Sequence, residues 1–148
     1  MTTLRSWPGV AAFVLAAAPT FAQQPAGHVK IASGSVSIVR GGTVLPARVG
    51  QPVHEADRIR TGTDGRIGIT LNDDTRVSLG PGSEVSLDRF AYAPSEGRLA
   101  FVLKVVRGVA AYVSGRIAKL SPDAVHLETP AAIVGVRGTT LAVRVVPE

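Results

Sequence analysis

The chain contains no cysteine among its 148 residues. This absence excludes a disulfide framework, a thiolate metal site and a cysteine nucleophile. Aromatic residues make up only 5% of the chain, and Trp7, Phe13 and Phe21 all fall within the first 22 residues. Sites for oligosaccharides and single-stranded nucleic acids commonly stack rings or bases on aromatic side chains. The remainder of the chain offers few such platforms.

Long apolar runs are also scarce. The longest runs from Val10 to Ala18, with Arg5 before it and small residues up to Ala22 after it. A transmembrane helix needs about 20 apolar residues, so the run is too short for the rival interpretation of a membrane anchor. We predict a secretory signal peptide over residues 1–22. The mature protein is then expected to be periplasmic or secreted, with no membrane span, a short tether over residues 23–28 and one β domain over residues 29–146.

Charged helix formers are rare in that domain. From Gln23 onward the chain has 19 valines, 7 isoleucines and 8 threonines against 5 glutamates and 3 lysines. This balance predicts an all-β fold, with one short helical turn at Ser121 to Asp123.

Alternation of period two marks the strands. Its clearest inward pairs are Ile67 with Ile69, Val77 with Leu79, and Val85 with Leu87. The pairs are ten and then eight residues apart, with turn residues between them. This spacing suits a meander of antiparallel hairpins, as in a small β-sandwich or barrel, or the rungs of a β-solenoid.

Catalytic and metal-binding patterns are poorly represented. There is no G-x-S-x-G motif, and the three histidines lack the spacing of a helical zinc site. His54, Glu55 and Asp57 could hold a metal, but a solvated loop explains them better. Asp73 and Asp74 are typical of a tight turn. We therefore expect no enzyme, no metal and no cofactor.

Basic residues are in excess. The formal net charge is +5, and Arg58 and Arg60 flank Ile59. If Ile59 faces the core, both guanidinium groups lie on the outer face of one strand, where they could contact a partner. The alternative is a solvated face balanced by Asp57 and Asp64. Because no concentrated Lys/Arg run occurs, nucleic acid is not an expected partner. An acidic protein surface, or an anionic envelope polysaccharide or lipopolysaccharide, is compatible with this charge.

Two segments carry a family resemblance. EADRIRTGTDGR from Glu55 to Arg66 with the strands after it, and TPAAIVGVRGTTLAV from Thr129 to Val143, resemble the two signature regions of the FecR domain family. With the opening strand GSVSIVRGG, the likeness covers about residues 29–145. The chain departs from the family pattern at Ala56 and Asp74, where glycine is usual, and at Leu141, where phenylalanine is common.

The resemblance implies a short, twisted, mostly parallel β-solenoid that recognises an envelope protein in cell-surface signalling. In the best understood members, the domain senses a TonB-dependent outer-membrane transducer, and a cytoplasmic anti-sigma segment passes the signal on. Neither that segment nor its membrane span is recognisable here, so only the extracytoplasmic recognition role carries over. The motif residues expected to be structural are Asp57, Thr61, Gly62, Thr129, Pro130, Gly135, Arg137, Gly138 and Thr139. A buried arginine needs a paired charge, and we expect Arg137 to pair with Asp57.

Overall fold

The computed structural model describes residues 23–136 and 140–146, together with Thr3, Gly9, Ala17 and Ala18. The predicted signal peptide and three motif residues, Arg137, Gly138 and Thr139, therefore lie mainly or wholly outside the described residues. The strands are β1 (Gly27–Ser33), β2 (Val36–Arg40), β3 (Thr43–Pro46), β4 (Pro52–Val53), β5 (Arg58–Thr61), β6 (Arg66–Leu71), β7 (Arg76–Leu79), β8 (Glu84–Ala93), β9 (Arg98–Val113), β10 (Val125–Glu128), β11 (Ile133–Gly135) and β12 (Thr140–Val145).

These twelve strands form one sheet, whose main path has the order β3-β2-β5-β8-β9-β7-β6-β1-β4. The long strand β9 belongs to both halves of the sheet. Its first part pairs with β8 and β10, and its last part pairs with β7 and β12. Between the two parts stands Gly108, with φ +82°, where a Cβ atom would lie 2.2 Å from the Ser83 hydroxyl. Only glycine suits that backbone and that close approach, so Gly108 is where the sheet turns over the core.

The sheet is an antiparallel half-barrel, and the prediction of a mostly parallel β-solenoid is wrong. Every strand pair among the described residues is antiparallel except β9 with β10. The turn over residues 72–75 joins β6 to β7, which pair with each other, and so short a connection permits only an antiparallel pair, because a parallel crossover needs about a dozen residues or more. Residues 80–83 carry the chain from β7 to β8, and both of these strands run antiparallel to β9. The barrel or sandwich alternative fits better, and the all-β class is confirmed.

The core lies between the two halves of the sheet. Ile69, Leu71 and Val77 from one half line the same small internal void as Ile59, Leu87 and Leu103 from the other. The inward pairs expected from the alternation are all buried, each with at most 3% of its surface exposed. The two halves therefore share one apolar core.

Short helical segments fill one connection. A helix, α1 (Arg116–Leu120), and a 3₁₀ turn (Pro122–Ala124) link β9 to β10. The turn confirms the predicted helical turn next to Ser121, with proline in its first positions. This connection is long enough to return the chain parallel to β9.

Two of the non-glycine residues that the structure describes have a left-handed backbone. They are Ala56, with φ +71°, and Asp74, with φ +67°. Both are positions at which the family usually has glycine. The Asp73 carboxylate accepts hydrogen bonds from the backbone N–H and hydroxyl of Thr75, so residues 72–75 form the predicted tight turn.

The segment before β1 is attached to the domain. The side chain of Asn72 donates a hydrogen bond to the carbonyl of Pro25, and its backbone N–H donates to the carbonyl of Ala26. Strand β1 begins at Gly27, inside the range expected to be a tether. Among the described residues, no helix has the length and apolarity to cross a membrane.

Candidate functional site

A row of polar and charged side chains crosses one face of the sheet. Cross-strand register places Pro46 opposite Ser37, Ser37 opposite Arg60, Arg60 opposite Glu84, and Glu84 opposite Arg107. The row thus spans β3, β2, β5, β8 and β9. Residues directly opposite each other in neighbouring strands point to the same face, so the row lies on the side of the sheet away from the core.

Glu84 is the centre of a cluster of charges. Its carboxylate is 9% exposed and lies 3.3 Å from Arg58, 3.2 Å from Arg60 and 3.5 Å from Arg107. We call these four residues the Glu84 cluster. A buried carboxylate on a central strand needs paired charges, and the arginines on both flanking strands supply them. Three arginines around one carboxylate give the cluster a net charge of +2.

A β-bulge puts Arg107 into this cluster. Val85 pairs with Val105, but Glu84 pairs with Arg107, so Val106 is an extra residue in β9. Without the bulge Glu84 would face Val106, and the Arg107 side chain would turn to the other face. The bulge therefore re-aims one arginine toward Glu84.

A groove of about 490 Å³ lies over the row. Its lining includes the guanidinium-bearing side chains of Arg60 and Arg107, Ser35 and Ser37, and the apolar side chains of Val44 and Pro46. Val44 has 61% of its surface exposed. The groove thus combines a cationic end with an apolar end. Arg58 contacts Glu84 but is not part of the lining.

The arginines predicted to contact a partner lie as expected relative to Ile59. Ile59 is buried at 2% exposure, and the side chains of Arg58 and Arg60 are 49% and 41% exposed. Both form ion pairs with Glu84, which the sequence interpretation did not select, rather than with Asp57 or Asp64. Asp64 accepts a hydrogen bond from the backbone N–H of Ser35, and that bond lowers the pKa of its carboxyl group.

Asp57 is paired with Arg40. It is fully buried, and its two oxygens accept hydrogen bonds from Arg40 Nε at 2.8 Å and Nη2 at 2.7 Å. The backbone N–H of His54 donates a third bond at 2.8 Å, and Arg40 Nη2 also donates to the carbonyl of Pro52. These bonds to Asp57 raise the pKa of Arg40. Among the described residues Arg40 is therefore the cation paired with Asp57, a role that the sequence interpretation gave to Arg137, which lies outside them; the pair ties β2 to the β4 to β5 loop.

Thr61 and Gly62 link the turn before β6, in which Gly62 lies, to the turn at Ser35 and to the turn over residues 80–83. The Thr61 hydroxyl donates to the carbonyl of Gly80 and accepts from the backbone N–H of Ser83. Gly62 donates its N–H to the carbonyl of Ser35, and a Cβ atom at Gly62 would lie 2.9 Å from the Ser35 side chain. These contacts fix the backbone beside the cationic end of the groove.

The second signature region begins at Thr129, directly after β10. Thr129 accepts a side-chain hydrogen bond from the N–H of Ala132 in the turn between β10 and β11, where Pro130 is exposed. A Cβ atom at Gly135 would meet no described atom within 4 Å. Arg137, Gly138 and Thr139 lie outside the described residues, so their structural role stays a prediction.

The carboxylates that could suggest catalysis or metal binding accept hydrogen bonds from backbone N–H groups of the fold. Glu55 accepts from the backbone N–H of Phe90, and Asp73 accepts from the N–H of Ile117 in addition to Thr75. Over residues 23–136 and 140–146, no group of three or more histidine and carboxylate side chains could hold a metal ion.

Sequence reasoning missed Arg40, Glu84 and Arg107. Glu84 carried one signal: it precedes the inward pair Val85 and Leu87 on a strand, and so it belongs to the outer face with alternate residues. The residues that lie opposite Glu84 on the adjacent strands can be identified only when the strand order is known. Arg107 could not be placed by alternation, because the bulge at Val106 shifts its phase.

Comparison with protein families gives a match to the FecR protein family over residues 57–147. The match begins at Asp57, so it includes the second signature region and the first from Asp57 onward, but not Glu55, Ala56 or the opening strand that the resemblance also covered. No curated protein and no solved structure gives a match. FecR proteins are envelope-associated and act in signalling, and the family is not known for enzymes. Because the matched segment covers more than half of the chain, the protein belongs to the FecR family.

Proposed function

We propose that this chain is a non-enzymatic recognition module, periplasmic or secreted, that binds an envelope protein during cell-surface signalling. Membership of the FecR family supports a signalling role in the envelope. The observation that carries the proposal is the Glu84 cluster, which presents three partly exposed arginines on the outer face of the sheet.

The cluster is suited to recognition because its arginines are held in place. A guanidinium group donates up to five hydrogen bonds in a fixed plane, and each arginine here uses only part of that capacity on Glu84. Arginine is also enriched among the residues that dominate protein interfaces. A side chain already ordered by Glu84 loses less entropy when a partner binds.

The second candidate is binding of an anionic envelope polysaccharide or lipopolysaccharide through the arginines. The net positive charge of the cluster favours it. The two candidates differ in how binding responds to salt. A polymer held mainly by charge is released as salt screens its contacts, whereas a packed protein interface is less sensitive.

The test starts from chemical crosslinking of the tagged chain in the native envelope and identification of the captured protein. The purified chain is then titrated with that purified protein by calorimetry at low and moderate salt. The proposal expects saturation at one partner per chain, with affinity largely retained at moderate salt. Binding only to purified polysaccharide or lipopolysaccharide, lost steeply with salt, would replace the first function with the second. Retention of stoichiometric metal, or turnover of a substrate, would contradict the non-enzymatic proposal.

A further inference from the structure

From the geometry of the groove we infer the chemistry of the partner. We propose that the groove over the row binds an extended acidic segment of the partner protein, with an apolar residue over Val44 and Pro46 and carboxylates on Arg60 and Arg107. This inference rests on the proposed function, because it assigns the occupant of the same surface.

The positions of the two arginines set the spacing of the acidic groups. Arg60 and Arg107 approach Glu84 from opposite sides, through β5 and β9. In both, the Nε atom is the one nearest Glu84, at 3.2 Å and 3.5 Å. Within the part of the chain that the structure describes, no other ion pair or hydrogen bond uses the two Nη nitrogens at the end of each guanidinium, and such a pair can bind a carboxylate through two parallel hydrogen bonds.

An extended peptide can reach both arginines. The backbones of Arg60 and Arg107 lie on either side of β8, about 9–10 Å apart at roughly 4.8 Å per strand, and both side chains lean toward Glu84 between them. Side chains of an extended peptide return to the same face every second residue, roughly 6.6–6.8 Å apart, so acidic groups at alternate positions can meet the two converging guanidinium groups. A segment with glutamates two positions apart can therefore pair with both arginines, which Glu84 holds on its two sides.

The apolar end of the groove favours a protein over a polysaccharide. Val44 is 61% exposed and lies two residues from Pro46 on the same face of β3. A valine or leucine of a peptide would remove this surface from water, at about 25 cal/mol per Å² buried. A hydrated anionic glycan lacks such a group, and none of the residues lining the groove is aromatic, so a sugar ring has nothing on which to stack.

The probe is a capped peptide of alternating residues, with one valine followed by two glutamates on one face and threonines on the other. Its control has glutamine in place of both glutamates. Binding to the purified chain is followed by NMR, through the backbone amides of β2 and β3 and the Nε–H signals of the arginines. We expect the glutamate peptide to shift the signals of Arg60 and Arg107, and the glutamine peptide to bind at least about tenfold more weakly, the loss expected for roughly 1.4 kcal/mol.

Arginine variants inside and outside the groove provide the matched control. Arg60→Gln and Arg107→Gln each remove one arginine that lines the groove, whereas Arg76→Gln removes one exposed arginine from β7 in the other half of the sheet. Arg60→Gln and Arg107→Gln should each weaken the glutamate peptide about tenfold. Arg76→Gln should change the affinity by less than about twofold, because Arg76 lies outside the lining. Urea melts verify that each variant is folded, and the glutamine peptide tests the wild-type chain without any substitution.

Several results would overturn the inference. These are equal binding of the two peptides, an effect of Arg76→Gln as large as that of Arg60→Gln, and no peptide binding at all. Binding of an acidic polysaccharide that is lost in the same variants would assign the groove to a glycan instead.

The outcome is separable from the proposed function. If Arg60→Gln leaves the affinity for the captured envelope protein unchanged, the groove assignment fails and the recognition function stands. If the peptide binds as expected but the envelope yields no protein partner, the recognition function fails and the groove chemistry stands.

Discussion

Truncation of Arg40 should destabilise the domain strongly, through the charge that it leaves behind. Asp57 has no exposed surface, and Arg40 supplies two of the three hydrogen bonds that its carboxylate accepts from described residues. Of these, Arg40→Ala leaves the one from the N–H of His54. Breaking a buried ion pair in this way typically costs about 3–5 kcal/mol. The Arg40 side chain is 37% exposed, so water can enter the vacated space, and we expect the lower end of that range.

The reverse truncation should cost less. Asp57→Ala leaves a guanidinium that is already partly solvated, so the loss is mainly that of the hydrogen bonds, about 2 kcal/mol. The double variant loses both charges together, and its free energy of unfolding should fall by about 3 kcal/mol, less than the two single losses combined. The coupling between Arg40 and Asp57 is then about 2 kcal/mol. Arg40→Lys should recover little, because lysine cannot donate from two nitrogens to both oxygens.

Urea unfolding followed by far-ultraviolet circular dichroism measures these free energies. Arg48→Ala is the matched control, because the exposed Arg48 guanidinium makes no hydrogen bond or ion pair with any residue that the structure describes. It should change stability by less than about 0.5 kcal/mol. A loss below about 1 kcal/mol in Arg40→Ala, with no coupling to Asp57, would be the behaviour of an exposed salt bridge and would refute this reasoning.

Three further predictions follow from other parts of the chain. Ala56→Gly should raise the free energy of unfolding in urea by about 0.5–1 kcal/mol, because a left-handed backbone costs alanine more than it costs glycine. Gly82→Ala is the control: at φ +62°, with no described atom within 4 Å, it should lower the free energy of unfolding. The same sign in both variants would contradict this. Burial raises the pKa of Tyr112 to about 12, so the unfolded chain releases this proton first, and stability should fall as pH rises from 10 toward 12. In Tyr92→Phe, which leaves Tyr112 as the last tyrosine, phenolate absorbance should appear near that value, and an ordinary pKa would disprove its burial. The predicted signal peptide gives a mature N-terminus at Gln23, which intact mass of the envelope form can test; a species retaining residues 1–22 would restore the membrane anchor.

Much of the local structure followed from alternation and turn chemistry. Ile67, Ile69 and Val77 face the core as their period of two predicted. Asp73 and Asp74 form a tight turn, as their side chains and their tolerance of a left-handed backbone suggested. These features depend on residues near each other in the chain, so the sequence alone can indicate them.

Strand direction required the structure, and the direction that the resemblance implied was wrong. Short turns such as residues 72–75 and 80–83 occur in antiparallel hairpins and also between the successive strands of a solenoid rung. The spacing of the inward pairs could not decide, because hairpins and solenoid rungs both repeat at such intervals.

The site itself depends on pairing between distant strands. Arg60 meets Glu84 because β5 lies beside β8, and Arg107 joins them because of the bulge at Val106. Arg40 meets Asp57 because β2 lies beside β5, the strand that Asp57 precedes. One sequence without an alignment gives neither strand order nor register, so these partners required the structure.

Site-specific photo-crosslinking in the native envelope tests the central claim most directly. A photoreactive amino acid replaces Ser37, which lies in the row beside Arg60, or Ser78, which is exposed on β7 in the other half of the sheet. The account predicts one discrete crosslinked protein from position 37, lost in Arg60→Gln, and none from position 78. A discrete protein from position 78 alone, or only polydisperse carbohydrate from position 37, would contradict protein recognition at the Glu84 cluster.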